Sequence, residues 1–350
     1  MSLKHAPLPA LLVLACVAAG AARAADPSPA EILAGAKKEG ALVWYSGGDR
    51  DPTQEMLNGF TKKYPFIKPE LVRASSSELA TRVEAEIAAN RVQGDVFEYS
   101  TEYLTTDLDR RGEILEYNSP EYAHFPAPFA RPGHWAASGV STILIMVNTN
   151  KVKDADMPAS WSDLAKPFWR NKLTIDNLEV SGTGYNWLYD IVGPNGPGWD
   201  LIEALGKNKP ILERGHAGMA QKVAAGEYAA AIEMSDFHLY ALRSRTPSVP
   251  LRGIWPKEGD PREVWTAGIY KRAPHPNAAR LFMDFLLSQE GQALYTKLMG
   301  RVSARADVAL PSFPEMPAEV RYIAHKGTPE EQLKARPELV AKWKAAWGLK

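Results

Sequence analysis

What most restricts the fold of this chain is a repeated unit in which a short apolar run ends in a small polar loop and an amphipathic helix begins at once. Ala41-Leu42-Val43-Trp44-Tyr45 runs into Ser46-Gly47-Gly48, and a helical pattern follows with Met56, Leu57, Phe60 and Tyr64 on one face. Asp51 is placed to cap that helix, with Pro52 in its first turn and Gln54 three residues on. The unit recurs as Glu70 to Arg73, the capping box Ser75-Ser76-Ser77-Glu78, and a helix with Leu79, Val83 and Ile87 aligned. It recurs again as Asp95-Val96-Phe97, the loop Tyr99-Ser100-Thr101, and a helix from Tyr103 to Arg111. Alternating strands and helices predict an α/β fold with mainly parallel sheets flanked by helices.

After a Pro- and aromatic-rich stretch, the run Ser141 to Val147 reads as a central strand that opens a second α/β lobe. There Trp161 to Trp169 has a helical pattern, Leu173 to Asp176 a strand pattern, and Ser181-Gly182-Thr183-Gly184 opens a helix through Tyr189. A helix from about Gly218 to Gly226 precedes the strand Tyr228 to Ile232, which delivers Ser235-Asp236-Phe237-His238 to the sheet edge. Glu263 to Tyr270 is again a strand, and Pro274-His275-Pro276 starts a helix with Leu281, Phe282, Phe285 and Leu286 inward. The last fifty residues are charged helical pieces without a core of their own, expected to cover the lobes. The expected division is lobe 1 from residues 25–137 and 267–300, and lobe 2 from 138–266 and 301–350.

Residues 1–24 are set apart: Lys4, an apolar stretch from Leu11 to Ala22, and Ala22-Arg23-Ala24 form the pattern of a cleavable secretory signal. The stretch is too short for a spanning helix. Cys16, the chain's one cysteine, lies inside it, and a lipoprotein anchor is the alternative. Cleavage after Ala24 leaves no cysteine, so stability must come from packing. The chain carries 41 basic and 41 acidic residues, of which Lys4 and Arg23 leave with the signal. That balance offers no basic field for nucleic acid.

Ligands of open parallel sheets bind at the carboxyl ends of the strands, where helix N-termini present free amides. The loops there single out Ser46, Gly47, Gly48, Ser75, Ser76, Tyr99, Ser100, Thr101, Ser181, Gly182 and Thr183, with His216, Asp236, Phe237, His238 and Trp265 at the same level. Serine and glycine also cap helices with no ligand involved. Arg73 and Arg214 lie beside these loops. Paired-His zinc spacing, a Gly-x-Ser-x-Gly elbow and a Walker loop are all absent from the sequence. No cofactor is expected.

The segments EGALVWYSGG, GDVFEYSTEY, AAGEYAAAIEMSD and EVWTAGIYKRAPHPNAARLFMDFLLSQEGQ, in that order and spacing, resemble the periplasmic solute-binding proteins of ABC transporters. The resemblance is to the subgroup with ferric-iron, thiamine and sugar-phosphate or phosphonate binders. It implies a type II periplasmic-binding-protein fold of two lobes joined by crossover strands. It also implies a non-enzymatic monomer in the periplasm, closing on a small organic anion or other polar organic solute for a permease and its ATPase. Ferric binders of this family use an acid or histidine after the first strand, a carboxylate after the third and two adjacent tyrosines in the second lobe. Asp49, Glu98 or Glu102, and Phe237-His238 with Tyr240 nearby stand at the matching places. Phenylalanine cannot ligate iron, so this chain departs from that pattern. A secreted hydrolase built on Ser, His and Asp of these loops, and a receptor that reports occupancy, are the competing functions.

Overall fold

The computed structural model describes residues 26–309, 321, 323 and 327–349. The signal-peptide reading and Cys16 fall outside them. Helix α1 (Pro29–Glu39) opens on a capping box between Ser28 and Glu31 and stops at Gly40, whose left-handed backbone only glycine adopts readily. Three strand–helix units follow: β1 (Ala41–Ser46) with α2 (Arg50–Lys63), β2 (Lys68–Arg73) with α3 (Ser76–Ala88), and β3 (Val96–Tyr99) with α4 (Glu102–Arg110). The α3 capping box of Ser75 and Glu78 is present as expected. Helix α2 starts earlier than expected: the extended Asp49 holds the cap position and Asp51 lies inside the first turn.

The short β4 (Ala130–Arg131) leads to β5 (Trp135–Asn148), which begins six residues before its apolar run and is buried throughout. Beyond it lie β6 (Leu173–Asp176), α5 (Gly182–Val192), α6 (Trp199–Lys207), β7 (Ile211–Glu213), α7 (His216–Ala225), β8 (Ala230–Ser235), α8 (Asp236–Arg245) and β9 (Leu251–Ile254). The chain returns through β10 (Arg262–Ile269), α9 (Pro276–Leu287) and α10 (Gln289–Met299), and α11 (Pro329–Trp347) is the last described helix. The helix expected at Trp161–Trp169 is two short 3-10 turns, because Pro167 lacks the amide needed to join them. Phe237 and His238 lie in the first turn of α8 and not in a loop.

The strands form one sheet in the order β2-β1-β3-β10-β5-β8-β6-β7, with β4 and β9 paired to β5. β1, β2 and β3 run parallel at one end, as do β6, β7 and β8 at the other, and β10 and β5 cross between them antiparallel to their neighbours. β5 is shared: its first half pairs with β10 and its second with β8 and β9. This is the two-lobed arrangement with crossover strands. Each lobe has its own core. Trp44, Phe60 and Phe282 pack in one, with Trp44 and Phe282 centroids 4.9 Å apart, and Trp161 and Trp187 pack in the other at 5.8 Å. Burying each such ring contributes roughly 1.5–3 kcal/mol to its lobe.

Helix α11 lies across both. Arg336 donates to Ser77 Oγ (3.0 Å) and Tyr103 OH (2.7 Å) on one lobe and to the Glu179 carbonyl (3.1 Å) on the other. The lobes face each other closely at the strand carboxyl ends, where the site described next is found.

Candidate functional site

Between the lobes is a cavity of about 290 Å³. It is lined from one side by Gly47, Asp49, Arg73, Ser75, Ser76, Glu78 and Ser100, and from the other by Asp176, Val180, Ser181, Gly182, Thr183, Arg214, Gly215, His216, Ser235, Phe237 and His238, with Trp265 of the crossover strand β10. These are the carboxyl ends of β1, β2 and β3 and of β6, β7 and β8, because the strands of each lobe run parallel and deliver their loops to one edge. Helices α3, α5 and α7 start at this edge, so their first-turn amides and partial positive charge are directed toward the cavity.

Under the lining residues lie three glutamates with no solvent exposure, one on each of β3, β8 and β10. Glu98 accepts from Ser46 Oγ (2.5 Å), Ser138 Oγ (2.7 Å) and Tyr295 OH (2.5 Å). Glu233 accepts from the Asp176 amide (2.9 Å) and holds His216 Nε2 at 2.5 Å. Glu263 accepts from Ser235 Oγ (2.7 Å) and from Thr183 Oγ1. A buried carboxylate must be matched by donors, and for Glu233 and Glu263 those donors, Asp176, His216, Thr183 and Ser235, line the cavity.

His216 sits between two carboxylates, with Asp176 Oδ2 3.3 Å from Nδ1. Burial opposes a charge on the ring, but Glu233 and then Asp176 reverse this and raise its pKa to about 10. His238 stacks nearly parallel on His216, with centroids 5.8 Å apart, and its Nδ1 lies 3.3 Å from Asp49 Oδ2. Burial lowers the His238 pKa, against the pull of Asp49. Burial would raise Asp49, yet His238, Arg301 and Arg73 together hold its carboxyl well below the ordinary range. The wall thus presents a protonated His216 and the paired His238 and Asp49, alongside Arg73 and an Arg214 that pairs with Glu78 across the cleft.

The native state keeps on His216 a proton that the unfolded chain, with its usual value of 6.5, releases. The stability it contributes is complete below about pH 6.5 and is withdrawn as pH rises toward about 10. The melting midpoint should fall across that interval, and His216→Gln should flatten the fall. Identical pH profiles for the two proteins would show that the ring is not held as a cation.

Of the residues singled out from sequence, Gly47, Ser75, Ser76, Ser100, Ser181, Gly182, Thr183, His216, Phe237, His238 and Trp265 meet at this cavity, as does Asp49. Five lie elsewhere. Ser46 is turned beneath the wall to Glu98, and Gly48 donates its amide to Ser46 Oγ at 3.0 Å. Tyr99 points into the core, its hydroxyl 2.8 Å from that of Tyr270, since alternate strand residues face opposite sides. Thr101 lines a neighbouring cavity with Trp135 and Arg262. Asp236 is buried below α8, accepting from Thr142 Oγ1 at 3.1 Å, and burial raises its pKa to about 7. Glu78, Asp176 and Ser235 complete the wall and were not singled out. Asp176 closes β6 at the ligand-binding edge, a signal that was present in the sequence.

Of the residues of the iron alternative, Asp49 and His238 meet in this cavity and line an adjoining one with Tyr240, while the others are engaged elsewhere. Glu98 is spent on three hydroxyls inside the lobe, Glu102 lines the cavity of Thr101, and the Tyr240 hydroxyl donates to the Lys297 carbonyl at 3.2 Å outside the cavity. Among the described residues no three His, Cys, Asp or Glu side chains are placed to hold a metal ion. Nor, among the described residues, is a serine hydroxyl hydrogen-bonded to His238, whose ring pairs with Asp49. No helix among the described residues is long and apolar enough to cross a membrane.

The family model for bacterial extracellular solute-binding proteins matches residues 101–319, more than half of the chain. The chain belongs to that family. An uncharacterized protein of Haemophilus influenzae is 28% identical over 88% of this chain and 91% of its own length. The major ferric iron-binding protein of Neisseria meningitidis is 26% identical over 79% and 82%. Among solved structures, the periplasmic binding protein AfuA from Actinobacillus pleuropneumoniae, with exogenous fructose-6-phosphate bound, superposes with a TM-score of 0.78 at 24% identity, over 89% of this chain and 99% of AfuA. Iron-bound HitA from Pseudomonas aeruginosa gives 0.73 at 20% identity, over 87% and 99%. These likenesses establish the fold as that of the type II periplasmic binding proteins. Solute-binding proteins of this family serve ABC transporters, capturing small ligands for a permease and its ATPase, and are transport proteins and not enzymes.

Proposed function

We propose that this solute-binding protein captures a small phosphorylated polyol, of the hexose-phosphate class, in the cavity between its lobes and delivers it to an ABC permease in the inner membrane. The observation that carries the reading is the pairing of anion donors with hydroxyl acceptors around one cavity. Arg73, Arg214 and the amides opening α3, α5 and α7 suit a phosphate, while Asp49 and Asp176 offer carboxylate oxygens to sugar hydroxyls. Gly47, Ser75, Ser76, Ser100, Ser181, Gly182, Thr183, His216, Phe237, His238 and Trp265 are its contact residues in this reading. The bound fructose-6-phosphate of AfuA, a protein of like fold, agrees with that chemistry. The lobes act as 25–137 with 267–300 and 138–266 with 301–350. The protein works as a periplasmic monomer released by cleavage after Ala24.

Ferric iron is the second reading, favoured by the named function of the Neisseria relative. Against it stands Phe237, whose ring offers no oxygen where iron requires an anionic ligand. The two readings separate in one experiment. Purified mature protein is heated with fructose 6-phosphate, fructose, inorganic phosphate or ferric citrate. A ligand at 100 times its Kd adds about 2.7 kcal/mol to the folded state, so the midpoint should rise several degrees with fructose 6-phosphate and less with fructose or phosphate. A rise with ferric citrate alone, accompanied by visible colour, would replace the first reading by the second.

A further inference from the structure

Beneath the aromatic part of the wall lies a cation that forms no ion pair with a carboxylate among the described residues. Arg301 follows α10 and has no solvent exposure. Its guanidinium carbon is 3.4 Å from the centre of the Trp265 ring and 4.0 Å from that of Phe237, the two aromatic residues that line the cavity. Nη1 donates to Tyr295 OH at 2.7 Å, while Nε and Nη2 are buried without a partner. The nearest negative charge along its bonds is Glu98, reached only through that tyrosine hydroxyl.

The position is built. Val140 and Val302 exchange backbone hydrogen bonds of 2.8 and 2.9 Å, which pin the segment to β5. Gly139 leaves space for the stem, since a Cβ there would lie 3.0 Å from Arg301 Cβ. Burying a guanidinium with two unmatched donors is unfavourable, and two aromatic faces offset only part of it. Replacing a buried charge by an apolar side chain of similar size is often neutral or stabilising, so stability alone does not account for an arginine here. The charge already reaches the cavity wall, where it helps hold the Asp49 carboxyl low, and a solute of opposite charge on the cavity side of the same rings would feel it as well.

We propose that Arg301 sets the sign of the solute: its buried guanidinium positions and charges the Trp265 and Phe237 wall, so that the cavity favours an anion over a neutral molecule of the same shape. This rests on the cargo reading above, but its test does not depend on that reading alone. Arg301 is a positioning residue, acting through the rings. A unit charge one ring thickness beyond the solute contributes roughly tenfold or more in affinity for an anion.

Calorimetric titration of the native protein, Arg301→Met and Arg301→Lys with fructose 6-phosphate and with fructose gives the first readout. Arg301→Met should lose roughly tenfold for the phosphate and leave fructose within about twofold, and Arg301→Lys should recover most of the preference. The ligand-free melting midpoint of Arg301→Met should equal or exceed that of the native protein, which a purely structural residue would not allow. The second readout needs no ligand: NMR titration of His238, which faces Asp49, His216 and Arg301, should move to higher pH in Arg301→Met and stay in Arg301→Lys. An unchanged ratio of the two sugars in Arg301→Met, or an unmoved His238, overturns the proposal. If the native protein binds neither sugar, the hexose-phosphate reading falls and the His238 titration decides Arg301 by itself.

Discussion

Gly182→Leu is expected to weaken solute capture by roughly 10- to 100-fold while the protein still folds. Gly182 opens α5 on one lobe, and a Cβ built on it would lie 3.0 Å from Ser100 Oγ, 3.4 Å from Thr101 Cγ2 and 3.5 Å from Ser76 Cβ on the other. Ser76 and Ser100 have little room to yield, because their hydroxyls are 3.1 Å apart and the Ser100 amide donates to Ser76 Oγ at 2.9 Å. A leucine side chain at this point enters only if the lobes stand apart. Overpacking of this kind costs about 1–3 kcal/mol, all of it charged to the closed form, and a smaller closed population lowers apparent affinity in proportion. Within its own lobe the change is mild, since leucine is a better helix former than glycine. X-ray scattering at saturating solute should leave the variant at the radius of the ligand-free protein. Gly182→Ala, whose single carbon needs a shift of a few tenths of an ångström, should bind nearly as the native protein does. Native affinity in Gly182→Leu would mean that capture does not require this contact.

Glu98→Ala should be the most destabilising single change near the cavity, by about 3–5 kcal/mol, or on the order of 10 °C in melting midpoint. Its carboxylate is fully buried and satisfies Ser46, Ser138 and Tyr295 at once, so truncation strands three hydroxyls in the interior. Tyr295 also carries Arg301, and the aromatic wall loses its support with it. Glu98→Gln retains the shape and two acceptor directions and should cost about half as much. A loss below about 1 kcal/mol in Glu98→Ala, read by chemical denaturation, would remove this glutamate as the keystone beneath the cavity.

Much of the molecule was legible before folding was considered, and the reasons are local. The capping boxes at Ser28 and Ser75, the apolar runs of β1, β5 and β10, and the Pro276 start of α9 all act within a few residues of themselves. So do the small residues that gather at helix starts, which is why most of the cavity-lining serines and glycines were found. The errors are local too. Trp161 to Trp169 has helical spacing, but Pro167 interrupts the amide ladder. Asp51 has capping chemistry, but Asp49 has the extended backbone a cap needs.

The order of elements, the two-lobed class and the edge at which a solute would be met were thus determined by the amino-acid sequence alone, because strand and helix signals depend on neighbours three or four positions away. Which side chains face the solute was decided by tertiary structure. Tyr99 and Ser100 are adjacent in sequence, yet one enters the core and the other the cavity, since the pleat sends successive residues to opposite faces. The buried charges needed the whole fold. Glu98 meets Tyr295 across 197 positions and Thr183 meets Glu263 across 80, and both contacts exist only because β10 returns to lie between β3 and β5. Arg301 is an ordinary basic residue in sequence. Only that strand order places it behind Trp265 and Phe237, where burial makes its charge felt in the cavity.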